Sequence, residues 1–122
     1  MKPNFVIPET ITKGWGTETI FANNNEYCGK LLTIHAGHKF SMHAHLEKLE
    51  TFWILKGDCI LRWIDTQTAE VHEQTQLAGS VVDIPRLMPH QIEAISDCEI
   101  VEFSTTHRDT DSYRYMKGDS QK

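Results

Sequence analysis

The chain has 122 residues, a formal net charge of −5 and an isoelectric point near 5.7. That balance argues against a general nucleic-acid binder, whose surface is normally basic. A hydrophobic share of 39% with 24% charged residues excludes a disordered chain, and the length predicts one domain around a single core. No apolar run approaches the ~18 residues that span a bilayer, and MKPNFVIPET lacks a signal-peptide core. Cys28, Cys59 and Cys98 are odd in number and show no CxxC spacing, which predicts buried, reduced thiols. Together these features predict a cytoplasmic protein without membrane or nucleic-acid partners.

In chain order, Pro3 and Pro8 bracket Phe5-Val6-Ile7, an edge strand or arm within residues 1–12. A glycine-flanked turn at Trp15 precedes a β-prone run, Glu18–Ala22, which stops at Asn23-Asn24-Asn25. Tyr27–His35 is a strand interrupted by Gly29. Phe40–His45 alternates, with Ser41, His43 and His45 on one face. Thr51–Leu55, Cys59–Ile64, a polar edge strand at Ala69–Gln76, Ser80–Ile84, His90–Ile95 and Glu99–Thr105 follow, separated by turn residues. About ten short strands and no helical periodicity predict an all-β sandwich or barrel. Residues 107–122 form a polar tail whose charges are by default a solvated face, with Tyr113, Tyr115 and Met116 available for packing.

Gly37–Gly57 carries the chemistry. His43 and His45 project from one side of a strand, and Leu46–Leu49 has the length of a hairpin connection. Glu50 is therefore expected beside the histidines on the next strand. His90, which follows the proline-forced turn at Pro85, is the fourth candidate ligand. Three imidazoles and one carboxylate suit Mn, Fe, Co, Ni or Zn and leave one or two positions open. Among the remaining histidines, His35 and His38 are expected to satisfy surface hydrogen bonds, and His72 to be exposed.

Gly37-x5-His43-x-His45-x4-Glu50-x6-Gly57 resembles the first motif of the cupin superfamily. Gly79-x5-Pro85-x4-His90 resembles the second, with Leu87 standing where glycine is frequent and Ala94 where asparagine is frequent. The resemblance implies a single-domain cupin-type β-barrel (a double-stranded β-helix, or jelly roll) over residues 1–122, with one divalent transition metal on His43, His45, Glu50 and His90. Lys13-Gly14-Trp15-Gly16, Glu50–Gly57 and Asp111-Ser112-Tyr113-Arg114 are similar to the cupin domain of type II mannose-6-phosphate isomerases, although Gly14 replaces the usual proline.

That narrower resemblance implies aldose–ketose isomerisation of a sugar phosphate through a metal-stabilised enediolate, and a homodimer. Such chemistry needs a base and a phosphate grip. His107, Asp109 and Lys39 are the expected catalytic groups, with Asp111 a further possible base. Arg86, Arg108 and Arg114 are the expected substrate-binding groups, because a guanidinium grips phosphate through a bidentate fork. Two other readings stand beside it: an iron-dependent dioxygenase of a small substrate, and a non-catalytic sugar-binding cupin.

Overall fold

Alternation in the sequence becomes the two faces of each sheet. In Cys28–Ile34 every second residue is buried, and in Cys98–Ser104 the same holds for Cys98, Ile100 and Glu102. Strand side chains point alternately to opposite faces, so each such run presents one row to the core. The computed structural model describes residues 1–122 as eleven strands and two short 3₁₀ turns, with no α-helix. In order the strands are β1 Glu9–Lys13, β2 Gly16–Asn23, β3 Cys28–Ile34, β4 Met42–Ala44, β5 Glu50–Lys56, β6 Cys59–Ile64, β7 Val71–Gln76, β8 Val81–Ile84, β9 His90–Ala94, β10 Cys98–Ser104 and β11 Tyr113–Met116.

They form two antiparallel sheets, one of six strands (β1-β2-β3-β10-β5-β8) and one of five (β11-β4-β9-β6-β7). Between them lie Trp15, Phe40, Phe52 and a set of aliphatic residues including Leu32, Ile34, Ile54, Leu61, Ile92 and Ile100. Each fully buried large side chain contributes roughly 1.5–3 kcal/mol. Trp15 anchors this core, with its ring edge-on to Phe40 at 6.3 Å. The three cysteines are free and buried, and burial foremost pushes the Cys59 thiol up to about 12. Gly57 holds φ +83°, and a Cβ there would lie 2.2 Å from the Asp97 carbonyl oxygen, so only glycine fits this turn.

Several expectations are corrected. Phe5-Val6-Ile7 belongs to no strand and is exposed; the edge strand is β1. The strand carrying the histidine pair shrinks to Met42–Ala44, with Lys39 forming an isolated bridge to Glu93. Leu46–Leu49 is not a hairpin: β4 and β5 lie in different sheets, so the connection crosses the molecule and Glu50 faces the histidines from the other side. His72 is half-buried and stacked on Trp63, with ring centroids 5.6 Å apart.

The tail does not float as a solvated face. It contributes β11, paired with β4, and two 3₁₀ turns, Asp109–Asp111 and Asp119–Gln121. Nor do its apolar residues hold it, since Tyr113, Tyr115 and Met116 stay exposed. Polar contacts hold it instead. Asp119 Oδ2 accepts the Lys39 amide at 3.0 Å and lies 2.9 Å from His38 Nδ1, while Ser120 Oγ accepts the Gly14 amide at 3.0 Å. Gly118 packs so tightly on the backbone of Phe40 and Ser41 that a Cβ would sit 2.3 Å away.

Candidate metal centre

β4, β5 and β9 bring four side chains to one point between the sheets. His43 pairs directly with His90 in the β4–β9 ladder, and His45 follows β4 on the same face. One ligand atom each from His43, His45 and His90 lies within 4.8 Å of the others. Glu50 reaches the cluster from β5 and places Oε1 2.6 Å from His90 Nε2 and 3.5 Å from His45 Nε2.

The main chain fixes the histidine tautomers. Assigning protons from the partners present, His43 Nδ1–H donates to the Ser41 carbonyl at 2.9 Å, His45 Nδ1–H to the Asp111 carbonyl at 3.0 Å and His90 Nδ1–H to the Met88 carbonyl at 3.0 Å. Every Nε2 is then a lone pair facing the cluster, the arrangement that orients imidazole toward a metal.

His45 Nε2, His90 Nε2 and Glu50 Oε1 are buried, and none has a partner with hydrogen-bond geometry. Short distances without hydrogen-bond directionality mean that acceptors converge on acceptors. Buried polar atoms left this way are destabilising unless something else satisfies them. A divalent cation does so, and the donor set of three neutral imidazoles and one carboxylate fits a transition metal. Burial first, then the proximity of His90 and His45, lowers the His43 pKa well below 6.5; burial also lowers that of His45. Both rings are thereby held in the ligating, neutral form. Burial alone would raise the Glu50 carboxyl, but the charge of Lys48 opposes this, and the group is held well below the usual range.

The cluster opens into a polar cavity of about 140 Å³. Its second wall comes from the six-stranded sheet and is charged. Lys30 Nζ donates to Glu18 Oε1 at 2.6 Å. Lys48 Nζ lies 2.7 Å from Glu102 Oε2, 3.3 Å from Glu50 Oε2 and 3.2 Å from His107 Nδ1. His107 Nε2 is 2.9 Å from Asp109 Oδ1. Burial, followed by the Lys30 and Lys48 charges, lowers the His107 pKa.

Of the sequence-derived candidates, His43, His45, Glu50, His107, Asp109 and Arg114 line this cavity, and His90 stands behind them in the cluster. Lys39, Arg86 and Arg108 do not line it. Lys39 sits at the bridge to Glu93; Arg86 Nε donates to the Glu47 carbonyl at 2.8 Å, and Arg108 Nη1 lies 3.3 Å from Glu47 Oε2. Sequence reasoning passed over Lys30, Lys48 and Glu102. Their signal was a charge at an inward-facing position, Lys30 between Cys28 and Leu32 and Glu102 after Cys98 and Ile100.

Asp111, named from sequence as a possible base, is instead a buried anchor. Its carboxylate accepts the amides of Leu46, Glu47 and Lys48 at 2.9–3.2 Å, while its carbonyl holds His45.

No family model matches the chain, and no curated protein does. Solved structures do. The capsular polysaccharide assembling protein CapF from Staphylococcus aureus superposes with a TM-score of 0.78 at 21% identity, over 91% of this chain and 34% of CapF. Its complex with the inhibitor 3-isopropenyl-tropolone gives 0.79 over the same shares. Oxalate decarboxylase from Bacillus subtilis gives 0.78 at 12% identity, over 88% of this chain and 30% of that one. The chain thus spans about a third of the length of either protein. The likeness is one of fold, and it is the cupin fold that the two motifs imply.

Proposed function

We propose that this chain closes its two sheets into a cupin barrel and acts as a metal-dependent aldose–ketose isomerase of a small sugar phosphate. One observation carries the reading: a His₃Glu cluster with unsatisfied buried acceptors opens onto a cavity whose other wall holds a proton-handling pair and cations. The similarity to a capsular polysaccharide assembling protein supports a sugar as substrate.

His43, His45, Glu50 and His90 would hold the ion. When bound, it supplies Lewis-acid stabilisation of the negative charge that develops on substrate oxygen as the carbonyl moves between C1 and C2. The rest falls to the chain. The cavity is smaller than the ~300–1,000 Å³ clefts that enclose drug-sized ligands, so it admits the reacting end of a sugar and leaves the phosphate at the mouth. Arg114, exposed and lining that cavity, is the phosphate grip, and Lys13 is a second cation on the same lining.

Asp109 faces the cavity and accepts the proton taken from substrate carbon. His107 donates Nε2–H to it, and Lys48 donates to His107 Nδ1, so the positive end of this chain of hydrogen bonds offsets the charge changes at the carboxylate. Phe40, Phe52 and Trp15 exclude water from the inner end.

The test is interconversion of hexose and pentose phosphates by protein loaded with Mn, Co, Zn or Ni, with and without chelator. Turnover that chelator abolishes is expected, and no turnover across the panel sinks the isomerase reading. Metal analysis of His45→Ala and Glu50→Ala is separate. Each is expected to weaken binding by more than the ~10–100-fold typical of losing a group that merely orients a ligand. The same donor set also suits non-haem iron, which favours a dioxygenase as the second reading. Oxygen uptake on Fe(II) loading with small thiols or diols would distinguish it.

A further inference from the structure

The second 3₁₀ turn of the tail, Asp119–Gln121, supplies two side chains to the cavity lining, Ser120 and Gln121. Two glycines let this turn come close. A Cβ on Gly14 would overlap the Asp119 carbonyl oxygen, and one on Gly118 would overlap the backbone of Phe40 and Ser41. Main-chain pairing then sets its register: the Asp119 amide donates to the Lys39 carbonyl at 2.9 Å, and Asp119 Oδ2 accepts the Lys39 amide at 3.0 Å. Gly14 stands at the β1–β2 corner of the six-stranded sheet, and Phe40-Ser41 lead into β4 of the other. The turn is thus wedged against both sheets, and a side chain carried on such a fixed element selects more sharply than one on a mobile tip.

The two side chains differ in what they have left to give. Ser120 Oγ accepts the Gly14 amide at 3.0 Å and serves the turn itself. Gln121 Oε1 accepts the Gly118 amide at 2.9 Å, the one hydrogen bond its carboxamide makes. An amide N–H only donates, so the atom it meets is the oxygen, and Nε2 with its two N–H donors is left without a protein partner. The side chain is half-buried and borders the cavity. Other groups on that lining are already matched. Ser41 Oγ lies 2.9 Å from His43 Nδ1, and Lys48 Nζ meets Glu102, Glu50 and His107. A neutral amide donor suits an uncharged oxygen, whereas phosphate draws a guanidinium or ammonium group. We propose that Gln121 is a specificity-determining residue that donates from Nε2 to a non-reacting hydroxyl oxygen of the sugar. The substrate class rests on the isomerase reading, with Arg114 holding the phosphate. A site built to pair a hydroxyl rejects the analogue that lacks it far better than an apolar pocket rejects an added group.

The experiment titrates the Mn-loaded full chain calorimetrically with sorbitol 6-phosphate and mannitol 6-phosphate, which cannot isomerise, and follows hexose phosphate turnover alongside. It compares the unaltered chain with Gln121→Ala, Gln121→Glu and, as a control for charge, Gln74→Glu at an exposed position of β7. Gln121→Glu keeps an oxygen for the Gly118 amide but sets an acceptor where the donors stood. A residue that only braced the turn would therefore tolerate Glu and suffer from Ala. Gln121→Ala is expected to weaken binding about tenfold and Gln121→Glu at least as much, with Gln74→Glu unchanged. KM should rise with the dissociation constant while kcat stays within about threefold, because the reacting end is held elsewhere. The 3-, 4- and 5-deoxy forms of the better polyol phosphate need no variant. One of them should bind the unaltered chain about tenfold more weakly than its parent and lose that deficit on Gln121→Ala. Should Gln121→Ala loosen the turn, as read by circular dichroism, the deficit is measured on Gln121→Glu instead. Binding without turnover sinks the isomerase reading and leaves Gln121 to be judged by its variants. An unimpaired Gln121→Glu, deoxy forms that all bind as their parent, or no binding of either polyol phosphate up to ~10 mM overturns the proposal.

Discussion

The two walls of the cavity handle buried polarity in opposite ways. On the five-stranded sheet, the rings of His43 and His90 are each pinned by a main-chain carbonyl, and the buried Nε2 atoms of His90 and of His45, just past β4, have no partner. On the six-stranded sheet, Lys30, Glu18, Glu102 and the neighbouring Lys48 are charged and satisfy one another within 2.6–2.7 Å. A wall whose polar atoms are unsatisfied is built for a ligand, whereas a wall of matched charges is built to stand without one. Glu50 joins the two, with Oε1 toward the histidines and Oε2 toward Lys48.

The largest effect is expected from unbalancing the charged wall. Lys48→Met removes the buried cation that Glu50 and Glu102 share, which costs about 3–5 kcal/mol. Lys48→Met combined with Glu102→Leu should recover a good part of that loss, because the pair is removed together. Urea melts of the single and double variants decide it; equal losses in the two would mean that the charges are not coupled.

Next comes the latch between the walls. Asp111 orients His45 through its carbonyl and ties down residues 46–48 through its carboxylate. Asp111→Ala is expected to lower metal affinity ten- to a hundred-fold. It should also alter the visible spectrum of the Co(II)-loaded protein, which a merely structural change would leave alone. Asp111→Asn, which keeps one acceptor oxygen, should recover part of both.

Acid and base should separate the walls further. His43 and His45 titrate below the ordinary 6.5, so between the folded and unfolded values the unfolded chain binds more protons. Stability therefore rises with pH through that window and is lost as pH falls below 6.5. Burial alone would raise Glu18, but Lys30 lowers it, so its contribution is present above 4.5 and lost on further acidification. Lys48 runs the other way. Burial alone would lower it, yet Glu102 and Glu50 raise it above 10.5, so its contribution is complete below that value and lost as pH rises through the folded one. The histidine wall should fail only in acid and the charged wall at both ends. Urea midpoints of the metal-free protein from acid to alkaline pH measure this, and Lys48→Met/Glu102→Leu should flatten only the alkaline side.

The same contrast explains what the sequence made legible. His43, His45, Glu50 and His90 stand at short, fixed spacings around strand alternation and turn glycines, so a local pattern reveals them. The partners of Lys48 and Asp111 lie far along the chain, with Glu102 on β10 and the latch joining residue 111 to residues 45–48, and no local period encodes such pairings. The supposed hairpin at Leu46–Leu49 failed for a related reason. Loop length allowed a return beside β4, but Phe52 and Ile54 needed burial on the facing sheet, and the chain crossed over.

The smallest expected effect lies behind the histidine wall. Leu87 occupies the position between Pro85 and His90 where glycine is frequent in the motif, and it takes φ +71°. A side chain in the left-handed region costs roughly 1–2 kcal/mol, because Cβ crowds the following carbonyl. The turn holds it there because the Leu87 amide donates to the His45 carbonyl at 2.8 Å, joining the loop before His90 to a residue of the other motif. The Leu87 side chain is exposed and contributes little packing. Leu87→Gly should therefore stabilise the protein by about 1 kcal/mol, since relief of strain exceeds the added freedom of the unfolded glycine. Metal affinity should stay within a factor of two or three, because the hydrogen bond to His45 comes from the backbone. A loss of stability on this substitution would mean that the freedom glycine adds to the unfolded chain outweighs the strain relieved at Leu87.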